Sequence, residues 1–482
     1  RAVPLDGPAM QGGFATRLRM RPMQERDSNW PGTWEAYMNA THECPCRSIK
    51  SGLLTLACAA LLGLASLASK AAGDDALFIR NATVIDGTGA APRPSTDILI
   101  QNGKIVSIGA GLKAPADIRV IDASGKYVVP GLIDTHVHYE FPVTFQLTPQ
   151  EEDHVRKSAP KAYLYNGVTT TLDAGATPEF IFPLREAQRA GRILAPRIYA
   201  VGPGVTPEKG WGSRHGRALR DVQAVKERVQ ALKELNADGV KIIVDDGLGH
   251  AGTHVEIPDD MLAAAVEAAR AANMHVYVHA INLTEYHRAV AFKPNGIIHG
   301  LEDHIPAGDS ILSDLVASGV IVTPTYSLFE SFLAPDPRAG EKLDDPILVA
   351  SAPTAVLEKL RSREFVESSR AAFVKASNMD AYAWARKHNP IFCENIGKMH
   401  RAGVKLAVGT DAGGQVGFNF HGYNTPWELK LFVKCGLAPM DALVAATRNG
   451  AELIGVGAQL GTVQEGKLAD LLVLTANPLD DI

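Results

Sequence analysis

Through the middle of the chain, short apolar runs alternate with longer stretches in which apolar residues recur every three or four positions. The runs are Gly131–His138, Val168–Ala174, Arg197–Val201, Gly239–Val244, His275–His279, Gly296–His299, Val320–Thr325 and Val404–Thr410. Runs of this length bounded by turn residues read as buried strands, and the stretches between them read as amphipathic helices. The clearest helix opens at Pro258 and Asp259-Asp260 and carries a stripe of Met261, Leu262, Ala265, Val266 and Ala269. Eight strands, each followed by a helix, are the count of a (β/α)8 TIM barrel, whereas an open doubly wound sheet does not ordinarily supply eight such units. The connection from Ser327 to about Arg401 is the longest, is broken by Ala334-Pro335-Asp336-Pro337, and is expected to form a lid over the barrel mouth.

Both ends read differently. From Ala76 the pattern is strand-like at Ala76–Ile79, Ala82–Ile85, Asp97–Ile100 and Ile105–Ile108, with turns at Asp86-Gly87 and Gln101–Lys104. Strand signals return at Gly461–Val463, Gly466–Asp470 and Leu471–Leu474. The expected fold is therefore α/β: a barrel over 131–457 and a small β-sandwich built from both termini, 73–130 with 458–482. Residues 1–72 are expected to be a non-native upstream segment plus a signal peptide. Arg47 and Lys50 precede the apolar run Gly52–Ala68, and small residues follow it at Ser69, Ala71 and Ala72. Met38 makes a sensible start, and a secreted or periplasmic product without a stable membrane anchor after cleavage is expected.

Composition changes this picture little. The 482 residues are 46% hydrophobic and 21% charged, ordinary for a globular chain. A net charge of -5 without a dense basic patch argues against a nucleic-acid partner. Of five cysteines only Cys393 and Cys435 lie beyond the expected leader, and the sequence leaves open whether they pair.

Candidate chemistry sits at the strand ends. His136 and His138 are two apart on the first strand, so both can face one point beyond its end, where neutral imidazoles suit an ion of the Zn, Mn, Co or Ni type. His279 ends the fifth strand, His299 the sixth, and Asp411 follows the eighth. Lys241 lies within the fourth strand, where a bare cation is costly and desolvation favours the neutral amine, which can take up carbon dioxide as a carbamate. Four histidines, an aspartate and a carbamate are too many ligands for one tetrahedral ion. They suit two ions about 3.5–4 Å apart.

The segments PGLIDTHVH, GVTTTLDAG, GVKIIVDDG, His279-Ala280, His299-Gly300, GTDAGG and GKLADLLVLTANPLDDI stand in the order of the amidohydrolase superfamily, which the chain resembles from about Ala76 to Ile482. The stretches His421–Leu429 and Ala438–Leu443 are similar to its prolidase-like branch of Xaa-Pro and Xaa-Lys/Arg dipeptidases and to its ochratoxin-hydrolysing relatives. The resemblance implies that His136, His138 and Asp411 hold one metal ion, most often zinc, that His279 and His299 hold the other, and that carboxylated Lys241 bridges them. It implies that Asp411 shuttles the proton and that His215 touches the substrate carbonyl, with Arg214, Tyr326 and His421 as further substrate contacts. Ile281 stands where many relatives carry a tyrosine. The expected reaction is hydrolysis of the amide of a dipeptide or N-acyl amino acid by a homo-oligomer. A cyclic amidohydrolase or deaminase of the imidazolonepropionase type is the rival enzyme, and a metal-binding protein without catalysis is the rival of another class.

Overall fold

The computed structural model describes residues 76–144, 146–213, 218–247, 254–333, 342–377, 380–414 and 417–482. The expected leader thus lies outside the described residues, as does the proline-rich turn at 334–337. Among the described residues no helix is long and apolar enough to cross a membrane.

The chain opens with β1 (Ala76–Val84), β2 (Arg93–Gln101), β3 (Lys104–Gly109), β4 (Arg119–Asp122) and β5 (Tyr127–Pro130). The two strand signals before Ile85 are one strand, β1, with register shifts against β2 on either side of Ala82 and a left-handed Asn81 at φ 56°. Such a bulge bends a strand, and the other edge of β1 pairs first with β4 and then with β5, both parallel. The last strand of the chain, Leu471–Leu474, returns to pair antiparallel with β5. Ile79, Val84, Ile98, Ile105, Val128 and Val463 form the buried core of this six-stranded sheet.

The barrel follows. Its strands are β6 (Leu132–Val137), β7 (Val168–Asp173), β8 (Arg197–Ala200), β9 (Gly239–Ile243), β10 (His275–His279), β11 (Gly296–Ile298), β12 (Ile321–Thr323) and β13 (Lys405–Leu406), which makes the returning Leu471–Leu474 β14. β6 to β8 form one parallel ladder and β9 to β13 another. Parallel bridges Val205↔Ile242 and Val137↔Ala412 join the two ladders at both seams, so the eight strands close into the expected (β/α)8 barrel with a small β unit beside it. Each strand lies within one residue or so of its expected start. The helix read from Pro258 is Asp259–Ala271, and every residue of its apolar stripe is buried. One apolar cluster runs from Ile133, Leu172, Tyr277 and Ile298 to Leu453, Ile454 and Leu460, joining barrel strands to the chain near its C-terminal end.

After β12 come the helices Tyr326–Ser331, Pro346–Ser351, Thr354–Arg361, Arg363–Ser377 and Ala381–Ala402. Leu343, Leu348, Val356, Leu357 and Leu360 from this connection pack on Val143 and Leu147, which follow β6, and on Phe418, Phe420 and Tyr423, which follow β13. The connection therefore lies against the loops at the C-terminal ends of the first and eighth barrel strands. Cys393 on the Ala381–Ala402 helix and Cys435, just past helix Asn424–Lys434, form a disulfide, which the sequence had left open.

Candidate metal centre

Barrel strands deliver their C-terminal residues to one mouth, and the candidate ligands meet there. His136 and His138 both aim Nε2 at Asp411 Oδ1, at 3.3 and 2.9 Å. His299 Nδ1 lies 4.0 Å from the other Asp411 oxygen. Ligand atoms of His136, His299 and Asp411 all fall within 4.8 Å of one another. Lys241 Nζ is 3.4 Å from His136 Nδ1, and the His279 and His299 rings are 4.1 Å apart. The structure thus brings together all six residues read as ligands.

Burial sets their charge. Lys241 is 4% exposed, and desolvation lowers its pKa to about 7. Burial lowers His136 to about 3, reinforced by the charge of Lys241, and holds His279 and His299 below their ordinary value as well. These rings are neutral near pH 7, the form in which imidazole binds metals. Burial alone would push Asp411 up, but the pull of His136 and the hydrogen bonds from both imidazoles leave it well below the carboxylate range.

A shell of polar side chains holds this set. Asp134 accepts from the backbone N–H of His136 and Thr410 and from the hydroxyls of Thr410 and Thr425; burial still raises it to about 6. Asn419 donates to the carbonyls of Thr410 and Asp411 and is itself gripped by Asn424. Asp245 Oδ2 sits 2.8 Å from His279 Nε2, and Thr325 Oγ1 sits 2.8 Å from His299 Nδ1. Gly413 has φ 92°, and a Cβ there would lie 2.2 Å from the His138 carbonyl oxygen, so no larger residue fits that approach. His299, Thr325 and Asp411 also hold positive φ, at 80°, 50° and 54°. Non-glycine residues in that region cluster at functional sites.

The expected substrate contacts are placed less uniformly. Arg214 and His215 lie outside the described residues. His421 is buried with Nε2 donating to the His138 carbonyl at 3.1 Å, so it sits behind a ligand strand, and burial lowers its pKa to about 4. Tyr326 is buried, and its hydroxyl donates to the Asn389 carbonyl on the Ala381–Ala402 helix. Asp245, Thr325, Asp134 and Asn419 were not singled out from sequence. Asp245 did carry a signal, a carboxylate just past a barrel strand in Val244-Asp245-Asp246-Gly247.

The donor set fits a divalent ion on structural grounds. Tetrahedral ligands about 2.0–2.1 Å from zinc stand about 3.3 Å apart, close to the separations of the His136 and His138 nitrogens from Asp411. Among the described residues the buried Nδ1 of His138 has no hydrogen-bond partner.

Comparison with known proteins agrees with the fold. A model of the amidohydrolase family matches residues 127–482, and the chain belongs to that family. A solved Xaa-Pro dipeptidase superposes with a TM-score of 0.67 at 24% identity, covering 84% of this chain and 95% of that one. The ochratoxinase of A. niger gives 0.66 at 18% identity over 85% and 91%. At these identities the likeness is one of fold. Among curated proteins, a dihydroorotase of Pelobacter propionicus is 27% identical over 208 residues, 43% of each chain. A deacetylase of Agrobacterium fabrum is 41% identical over 98 residues, 20% of this chain and 21% of its own. The match spans less than half the length of these curated relatives.

Proposed function

We propose that the protein hydrolyses the amide C–N bond of a dipeptide or N-acyl amino acid, ochratoxin-like amides included. His136, His138 and Asp411 would hold one divalent ion, His279 and His299 a second, with carboxylated Lys241 between them and zinc as the metal. The observation that carries this reading is Lys241, buried, with a pKa near 7 and 3.4 Å from a ligand imidazole. An amine neutral at working pH can add to carbon dioxide, releasing one proton and leaving an anionic carbamate whose two oxygens reach opposite sides. Hydrogen bonding sorts the histidine nitrogens: Asp245 engages His279 Nε2 and Thr325 engages His299 Nδ1, which leaves Nδ1 of the first and Nε2 of the second as donors. When bound, such ions would polarise the scissile carbonyl and lower the pKa of water. Asp411, held anionic, is the group to take the proton of the attacking water and give it to the leaving amine. His215 is the candidate for steadying the developing oxyanion.

A second reading, hydrolysis of a ring C–N bond, draws support from the dihydroorotase likeness. A panel of N-acyl amino acids and dipeptides against cyclic imides and imidazolones separates the two. The test of the centre is metal per chain and turnover for the parent and Lys241→Ala. We expect about two equivalents in the parent, and in the variant the loss of at least one and of most activity, with partial rescue by a small carboxylic acid. Two equivalents and full turnover in Lys241→Ala would remove the carbamate from the reading. Export is proposed too, supported by the apolar run Gly52–Ala68 and by the Cys393–Cys435 disulfide, a bond typical of oxidising compartments.

A further inference from the structure

Thr325 occupies the N-cap of the short helix Tyr326–Ser331. A threonine there ordinarily lends its hydroxyl to the N–H groups of its own helix. This one does not: it stands at φ 50°, makes no cap hydrogen bond, and sets Oγ1 2.8 Å from His299 Nδ1. The first two N–H groups of the helix are taken instead by a residue about a hundred positions away. Glu428, fully buried on helix Asn424–Lys434, accepts from Tyr326 N at 2.7 Å with one carboxyl oxygen and from Ser327 N at 2.6 Å with the other. The left-handed region is unfavourable for a β-branched residue. Without those two bonds, the threonine would gain both a relaxed backbone and a donor, the Ser327 N–H, by swinging its hydroxyl back to its own helix.

We infer that Glu428 is a positioning residue for His299: by capping the Tyr326–Ser331 helix from outside, it frees the Thr325 hydroxyl to hold the imidazole. The carboxyl group acts through two intermediates, the backbone of the helix start and the threonine. The same helix turn carries Asn424 and Thr425, which grip Asn419 and Asp134, so one element steadies both halves of the centre. The inference rests on the reading of His299 as a metal ligand.

Glu428→Gln tests it with little change of shape. Glutamine keeps one accepting oxygen but turns an NH2 group toward the second N–H, so half the cap is lost and a donor faces a donor. A crystal structure of this variant should show Thr325 Oγ1 withdrawn from His299 and bonded within its own helix. Zinc should dissociate on the order of 10-fold faster from one of two sites, as for loss of an outer hydrogen-bond partner. Turnover should fall with KM little changed. Thr325→Val should reproduce the metal defect, and the double variant should be no worse than either single one. Thr325→Ser, which keeps the hydroxyl, should restore zinc retention to near the parent's. A folded Glu428→Gln with Thr325 still on His299, or double-variant losses equal to the product of the single ones, would overturn the inference. A parent that binds no zinc would instead overturn the metal reading, since the crystallographic displacement needs no metal to be seen.

Discussion

Asp411 shows how one residue at the centre serves two demands. Its φ of 54° is one that aspartate tolerates better than most side chains, and its carboxylate collects hydrogen bonds from two imidazoles. Asparagine shares the tolerance for that backbone and keeps an oxygen in the same place. Asp411→Asn is therefore expected to fold and to keep much of its metal while turnover drops by roughly 10²–10⁴, the span usual for loss of a general acid–base group. Metal analysis beside steady-state kinetics checks this; parallel losses in both would make Asp411 a ligand without a proton-carrying role. The ligand candidates could be read from sequence because each is a rare polar residue at the end of an apolar strand. Thr325 could not, since a threonine before a helix predicts an ordinary cap. Glu428 reads as one more polar residue on an exposed helix face, and only tertiary structure shows it turned inward.

Helix Ala381–Ala402 is the element that ties the long connection down. Trp384 donates from its indole to Glu302, Asn395 donates to the carbonyls of Leu301 and Asp303, and Asn389 donates to the Phe329 carbonyl. Its disulfide from Cys393 reaches the end of the helix that carries Glu428, Thr425 and Asn424, across 42 residues of sequence. On the chain-entropy account, a crosslink closing a loop of that size contributes about 4 kcal/mol through the unfolded state. Cys393→Ala with Cys435→Ala is expected to lower thermal stability clearly and to raise hydrogen exchange first at the Ala381–Ala402 helix, with metal content at 25 °C near that of the parent. Uniform exchange along the chain would show that the bond stabilises the whole molecule without securing this helix in particular. The helices of the connection were legible only as helical stretches. Their docking was not, because it depends on buried amides and an indole whose partners lie on other barrel loops.

At the scale of the molecule, alternation carried most of the information. Parallel strands buried on both faces give apolar runs that stand out against amphipathic helices, so all eight barrel strands could be placed. The small sheet was harder. β4 and β5 are short and were passed over, the bulge at Asn81 made one strand look like two, and the segments 461–463 and 466–470 are held by isolated backbone bonds such as Val463 N to Asp86 O instead of a ladder. Sequence also gave no warning of how many carboxyl groups the barrel would bury. Glu302, 5% exposed, is raised by burial to about 9, and Glu285 and Glu428 to about 8. A carboxyl with an ordinary pKa of 4.5 that rises to about 9 on folding keeps its proton in the native state while the unfolded chain has lost it. The native state then binds more protons across that window, so stability is greatest below pH 4.5 and falls as pH rises toward 9. Ion binding by the histidines has its own pH dependence and would mask this in the parent alone, but it cancels in a difference between two proteins with the same centre. Glu302→Gln keeps an acceptor for the Trp384 indole and cannot ionise. Melting temperatures of parent and variant, taken from pH 6 to 9 at constant zinc, should diverge as pH rises, with the variant losing less. Parallel curves would mean that Glu302 is ionised in the folded protein and that its partners on the Ala381–Ala402 helix compensate the charge.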